Sequence, residues 1–370
     1  MSQTKPHICC IINIGPHYDF PIYDLMGKTF DCDFYLGDRL EYNIKTFDYH
    51  QLTGFQKTLH NSYFSKFYWQ KGAMKLLFKK YDYYILTGEP FCLSNWLILL
   101  LAKLSSKKTV AWTHGWYGRE GKIKGMIKLC FFRLFDKLLV YNEYAINLLT
   151  QQGINKQNMF CIANSLDSDH IKSLREQQHN TELYQSHFGN PHPVIIYCGR
   201  IQRRKRLDIL IESVKKLNDS STPVNLILVG KDDEHVNLEQ LVQKLNLQKQ
   251  IWFYGPCYDD AVLGQLFYQA SLCVSPGNVG LTAIHALSFG CPVITHNDFP
   301  YQMPEFEAIR PGITGDFFNR DNVESLTTTI QNWLKNHEND REIIRQHAYD
   351  EIDHKWNTHY QIDVLRKVLT

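Results

Sequence analysis

The chain has 370 residues, 44 % of them apolar and 21 % charged, which is too long for one ordinary domain and rich enough to fill two cores. Forty basic against 38 acidic residues leave a formal charge of +2, so no global field points to nucleic acid. The ten cysteines form no C-x-x-C pair, which argues against zinc or redox spacing and for buried free thiols in a reducing compartment. The start, MSQTKPH, lacks a charged-then-apolar leader, and the apolar run WLILLLA (96–102) is shorter than a membrane span. A cytoplasmic protein is expected, possibly held at the inner face of a membrane.

Taken in chain order, HICCIINI (7–14) predicts a first strand, CDFYLGD (32–38) a second and YDYYILTG (81–88) a third. KTVAWTHG (108–115), DKLLVYN (136–142) and MFCIANSLD (159–167) follow. KGAMKLLFKK (71–80) and the stretch 118–139, GREGKIKGMIKLCFFRLFDKLL, mix lysines with apolar residues at helical spacing. Such basic amphipathic helices suit anionic headgroups, although an ordinary core-facing helix with a wet basic side has the same pattern.

Residues 169–193 are polar and turn-rich and read as the interdomain segment. Beyond it, PVIIYCG (193–199), VNLILVG (224–230), IWFYG (251–255), SLCVSP (271–276) and CPVIT (291–295) alternate with helical periods. Strands without polar alternation are buried on both faces, so a parallel sheet covered by helices is expected. The fold class is therefore α/β, two doubly wound Rossmann-like domains facing a cleft. The first domain is placed at 1–180, the second at 190–341, and a C-terminal helix at 342–370 is expected to complete the first.

The chemistry gathers at predicted strand ends. In YCGRIQRRKRLDIL a strand stops at Gly199 and a cationic loop leads into a helix; Arg200 and Lys205 are the side chains placed on phosphate oxygens, and a solvated basic loop is the bland alternative. Gly230 and Gly255 repeat the strand–glycine turn, where exposed backbone can approach a flat base. SPGNVGLTAIHALSFGCPVIT (275–295) supplies Gly277, Asn278 and a helix start at Gly280, Leu281 and Thr282, whose amides are free to face an anion. AWTHGWYGREGK (111–122) places His114 after a strand, with Trp116 and Tyr117 suited to a sugar-binding wall. GPHYDFPIYD (15–24) follows the first strand and puts Gly15, His17, Tyr18 and Asp19 near that strand's carboxyl end. No H-E-x-x-H, nucleophile elbow, Walker lysine motif or metal-ligand cluster appears.

In this order and spacing, GRIQRRKRLDILIESV, LILVG, WFYGPC, SPGNVGLTAIHALSFGCPVITHND and PEFEAIRPGITGDFF resemble the donor half of retaining GT-B glycosyltransferases of the family 4 type (glycosyl transferases group 1). MFCIANSLD resembles that family's Asn-Gly-Val-Asp strand end, with Asn164 and Asp167 retained. The resemblance implies transfer of a sugar, with retention, from a nucleotide diphosphate sugar to a glycan or lipid-linked acceptor, as in bacterial surface polysaccharide or lipopolysaccharide synthesis. It implies no cofactor and no metal.

Residue by residue, the resemblance puts Arg200 and Lys205 on the donor pyrophosphate, His114 near the donor sugar, Gly15 beside the donor phosphates and Glu305 near the donor. On the acceptor side it implies Gly15, His17, Tyr18 and Asp19, with Trp116 and Tyr117. The family's two glutamates, one at the sugar and one at the ribose, fall on Gly277 and His285. His285 is expected to hold a ribose hydroxyl or a phosphate through a ring nitrogen. Two rivals stay open: a nucleotide-sugar epimerase on the same scaffold, and a non-catalytic sugar-nucleotide-binding protein.

Overall fold

The computed structural model describes residues 5–41 and 44–369; residues 1–4, the start of the stretch read above for a leader, lie outside them. The chain divides into two compact units, Met1–Asp167 with Asn357–Thr370, and Ser168–Trp356.

The first unit runs β1 (His7–Ile12), α1 (Phe20–Thr29), β2 (Asp31–Gly37), β3 (Phe55–Phe64), β4 (Phe67–Lys71), β5 (Tyr83–Thr87), α2 (Leu93–Leu104), β6 (Lys108–Thr113), α3 (Lys122–Phe132), β7 (Lys137–Val140), α4 (Glu143–Gln151) and β8 (Met159–Cys161). Its eight-stranded sheet has the order β4-β3-β2-β1-β5-β6-β7-β8. Every pairing is parallel except the β3–β4 hairpin. Successive residues of a strand point to opposite faces, and β1 shows the consequence. Cys9 and Ile11 pack under α2, α3 and α4, while Ile8, Cys10 and Ile12 pack under α1 and the chain's last helix.

The second unit runs α5 (Ser168–Arg175), α6 (Leu183–Phe188), β9 (Val194–Cys198), α7 (Leu207–Asn218), β10 (Asn225–Val229), α8 (Leu238–Lys244), β11 (Ile251–Gly255), α9 (Asp260–Gln269), β12 (Leu272–Ser275), α10 (Leu281–Ser288), β13 (Val293–His296), β14 (Gly315–Phe318), α11 (Val323–Asn336) and α12 (Arg341–His354). Its six strands, all parallel, have the order β11-β10-β9-β12-β13-β14. The fully apolar runs are the central strands: every residue of β10 and β12 is buried. Each unit is thus a Rossmann-like α/β layer structure.

Three expectations differ from the structure. The polar stretch 169–193 carries two helices, α5 and α6, anchored by Ile171 and Tyr184. Residues 71–80 form the end of β4 and a short 3-10 helix, Ala73–Phe78, in place of an amphipathic α-helix. The segment 342–370 is two helices: α12 stays with the second unit, and α13 (Thr358–Val368) belongs to the first. There Ile362, Leu365 and Val368 enter the core beneath β1, each fully buried aliphatic side chain contributing about 1.5–3 kcal/mol. The β3–β4 hairpin is not legible because two of its four buried positions, Asn61 and Gln70, are polar and break the apolar alternation. All ten cysteines are free thiols in the structure.

Candidate donor and acceptor sites

In the second unit β9 is followed by β10 on one side and has β12 on the other. The order reverses between β9 and β12, and ligands of open α/β sheets bind outside the carboxyl ends of strands at such a switch point. The two loops that leave this point are residues 199–206 and 276–280, the two basic and glycine-rich stretches singled out by sequence.

They are laced together. The Gly277 amide donates to the Lys205 carbonyl at 2.9 Å. The Lys205 ammonium donates to the Asn278 carbonyl at 2.6 Å, and the Thr282 hydroxyl donates to the Cys198 carbonyl at 3.0 Å. Gly280 caps α10, leaving the amides of Leu281 and Thr282 in a first turn without helical acceptors. Arg200 is exposed at the mouth, and the Tyr197 hydroxyl holds its carbonyl at 2.8 Å. Burial, with Arg204 and Arg200 next, pushes the Lys205 ammonium down to about 8, while buried Glu305 works in the opposite direction. The ammonium is thus held where water solvates it poorly, and an anion beside it would favour its charged form.

The glycines have separate reasons. A side chain on Gly230 would meet the Gly199 carbonyl at 1.9 Å, whereas Gly255 faces open space at φ +87°. At Gly277 a Cβ would lie 2.2 Å from the Arg204 carbonyl oxygen and 2.7 Å from the Lys205 Cα. The glutamate of the resembling family has no room here, because the basic loop itself occupies the place.

His285 lies one turn into α10. Its ring centroid is 5.3 Å from Phe267 and 5.6 Å from Phe289. Its Nε2 sits 3.7 Å from an Asp260 oxygen and has no hydrogen-bond partner. Burial pushes its imidazole down and Asp260 pushes it up. The ring is thus packed between α9 and α10, with one nitrogen unspent.

Sequence reasoning missed the brace beneath the loop. Gln302 accepts from the Val279 amide at 2.8 Å and donates to Thr295 and to the His296 carbonyl, each at 2.9 Å. Thr295 donates to the Ser275 carbonyl at 2.8 Å and the Gly277 carbonyl at 3.2 Å. A glutamine six residues past the end of a strand gives no pattern to read.

In the first unit the strand order reverses between β1 and β5. His114 leaves the carboxyl end of β6, its ring 4.8 Å from Tyr141 and 6.3 Å from Tyr117. Its Nδ1 is buried without a partner, and burial, then Lys128, pushes the imidazole down to about 4. The neighbouring loop is tied down by Glu120, which accepts from the amides of Tyr117 at 3.0 Å and Gly118 at 2.9 Å and from Lys128 at 2.8 Å.

Asp19 accepts from the Tyr23 hydroxyl at 3.3 Å. Burial raises its carboxyl to about 7 against that bond. Tyr23 in turn stands edge-on to Trp112, 6.0 Å between centroids, and the Trp112 indole nitrogen is also buried without a partner. His17 is exposed beside the Lys45 carbonyl, and Tyr18 touches its ring.

Two expected roles are corrected here. Trp116 is a core residue packed against Gly125, not a sugar-facing wall. Gly15 is covered: its amide donates to the Tyr49 hydroxyl at 3.0 Å, and Phe47 and Tyr49 rings occupy the space beside its Cα. Glu89, absent from the sequence reading, stands after β5, accepting from Asn13 and Tyr68 at 3.1 Å each; burial raises its carboxyl despite both bonds. Among the described residues no group of three His, Cys, Asp or Glu side chains is placed to hold a metal ion.

Residues 180–351, just under half of the chain, match the family model of the glycosyl transferases group 1. A relative is the phosphatidylinositol N-acetylglucosaminyltransferase GPI3 subunit of Saccharomyces cerevisiae, 24 % identical over 190 residues, which are 49 % of this chain and 41 % of the relative. The chain thus spans less than half the length of that curated protein. Over nearly its whole length the chain shares the fold of solved glycosyltransferases. Anabaena Alr3699/HepE in complex with UDP superposes with a TM-score of 0.73 at 14 % identity, covering 98 % of this chain and 99 % of the other. The lipopolysaccharide outer core galactosyltransferase WaaB gives 0.72 at 13 % identity, with 98 % and 99 % covered.

Proposed function

We propose that this chain, whose residues 180–351 fall in the glycosyl transferases group 1 and whose two units have the GT-B type of fold, is a retaining glycosyltransferase. Its donor is a nucleoside diphosphate sugar held by the second unit, its acceptor a glycan or lipid-linked oligosaccharide met by the first. The observation that carries this reading is the coupling of the two switch-point loops through Lys205, Asn278 and Gly277. That coupling holds a desolvated ammonium beside the loop that leads into α10, with Arg200 exposed at the start of the same basic loop.

Departure of a nucleoside diphosphate builds negative charge on the leaving phosphate, and preorganised cations stabilise that charge more than the ground state. Arg200 and Lys205 perform this task without a metal. The departing phosphate accepts the acceptor's proton, so no protein carboxylate need stand at position 277. His114, kept neutral by burial, contributes a hydrogen bond to the donor sugar, and His285 offers Nε2 to the ribose. Complexes of similar folds with UDP favour a uridine donor, and the inositol-lipid transferase relative favours a lipid-borne acceptor.

Thermal-shift titration with a panel of nucleoside diphosphates and their sugars tests the donor site. UDP or a UDP-sugar is expected to stabilise the wild type, and Arg200→Ala and Lys205→Ala to abolish that stabilisation. Donor stabilisation without transfer to any lipid or glycan acceptor would instead support a sugar-nucleotide-binding protein, which the missing acids at Gly277 and His285 favour. Stabilisation by no nucleotide would overturn both.

A further inference from the structure

We infer that the outer face of α2 and α3 in the first unit docks on an anionic lipid bilayer. The helix α2 has two sides of opposite habit. Ser94, Asn95, Ile98, Leu99 and Ala102 point into the unit. Leu93, Leu97, Leu100 and Leu104, at intervals of four, three and four residues, point out to solvent. A soluble helix normally presents charged or polar residues there, and this one presents a leucine stripe.

The stripe continues onto its neighbour. Trp96 of α2 packs on Phe131 of α3, ring centroids 5.0 Å apart, so the two helices lie side by side on one face of the sheet. In α3, Gly125, Phe131 and Phe132 are buried, leaving Ile123 at 73 % and Met126 at 61 % exposure. The 3-10 helix Ala73–Phe78 packs beside α2, and its Phe78 is 87 % exposed.

The charge on these three stretches is of one sign, although Lys128 is paired with Glu120, which lies just before α3. Residues 71–80, 93–108 and 121–135 contain eleven lysines and arginines and no aspartate or glutamate, in a chain whose overall formal charge is only +2. Lys75, Lys103, Lys122 and Lys124 are exposed and take part in no ion pair among the described residues. Apolar side chains that enter the headgroup boundary, ringed by lysines that stay at its surface, match an anionic interface in both hydrophobicity and sign. No helix among the described residues is long and apolar enough to cross a membrane, so this docking is peripheral. A second copy of this chain docked on the same face would set lysines against lysines, which like-charge repulsion opposes.

The test is co-sedimentation of the full chain with vesicles of phosphatidylcholine mixed with phosphatidylglycerol, against phosphatidylcholine alone. The wild type is expected to partition onto the anionic vesicles and to be released by salt. One lysine near an anionic surface changes partition about fivefold, so Lys122→Glu with Lys124→Glu should lower it at least ~25-fold. Leu100→Ser with Leu104→Ser, and separately Ile123→Ser with Met126→Ser, should also abolish partition while leaving UDP stabilisation unchanged and melting temperature little changed, because these side chains are among the more exposed apolar ones and belong to neither core of the first unit. Equal binding to both vesicle types, binding that survives the serine pairs, or no binding at all would overturn the inference. So would concentration-dependent dimerisation in sedimentation that the serine pairs remove, which would assign the stripe to a second copy. UDP stabilisation is read in the same variants, so a failed docking face and a failed donor site are told apart.

Discussion

Adding one methyl group at position 277 tests whether the basic loop really fills the place of the missing acid. In Gly277→Ala the new Cβ would stand 2.2 Å from the Arg204 carbonyl oxygen and 2.7 Å from the Lys205 Cα. Both neighbours are backbone, so no side chain can swing away, and the loop must retreat by roughly 1 Å to reach ordinary contact distances. Overpacking of this kind costs about 1–3 kcal/mol. Retreat also stretches the Gly277–Lys205 backbone bond of 2.9 Å and the Lys205–Asn278 bond of 2.6 Å, the latter of a charge-assisted type worth about 1.5–3 kcal/mol.

For a unit of this size about 2–4 °C is lost per kcal/mol, so the overpacking alone predicts a fall in melting temperature of about 2–12 °C. UDP affinity should fall with it, since Lys205 leaves its position. Differential scanning calorimetry with and without UDP reads both quantities. Gly280→Ala is the control, because the nearest atom to its added Cβ is Met303 Cγ at 3.9 Å, and it should melt with the wild type. If Gly277→Ala also melts with the wild type and binds UDP equally well, the loop is not packed against position 277. The absence of the family's glutamate would then need another reason.

Lys205 is held down to about 8 by burial, so the free site loses its charge as pH rises through that value. UDP binding is therefore expected to weaken above pH 8 and hold constant from 6 to 7.5 in calorimetric titrations; a flat profile to pH 9.5 would remove Lys205 from the phosphate. His114 and His296 are both pushed to about 4, chiefly by burial. The unfolded chain thus binds more protons than the native one between about pH 6.5 and 4, and stability should drop as pH falls through that window. His114→Gln should flatten part of this slope in urea midpoints, His296 keeping the remainder. Gln302→Ala removes three hydrogen bonds under the 276–279 loop and is expected to destabilise the chain by about 1–3 kcal/mol and to weaken UDP binding; an effect on stability alone would make the brace purely structural. His285→Leu keeps apolar packing between Phe267 and Phe289 but deletes both ring nitrogens; a loss of about fivefold in UDP affinity is expected for one hydrogen bond, whereas unchanged affinity would make His285 a packing residue.

Most of what organises this protein is local and is written along the chain. The apolar runs without alternation marked most of the parallel strands of both sheets, because a strand buried on two faces has no polar side to show. The strand–glycine–basic and strand–glycine–helix stretches marked both loops that leave the switch point of the second sheet, because close backbone approach demands those residue types. What one dimension could not show was which surface each residue meets. Gly277 looked like the loss of an acid, and only the loop of Arg204 and Lys205 pressed against it gives the absence a steric cause. Trp116 and Gly15 looked available to ligand, and the packing of Gly125 on one and Phe47 on the other removed them. The leucines of WLILLLA read as one apolar run too short to cross a membrane. Their division into a buried side and an exposed one was decided by which face of α2 the sheet and α3 happened to cover, since helical periodicity sets the angle between residues but not the direction of the core.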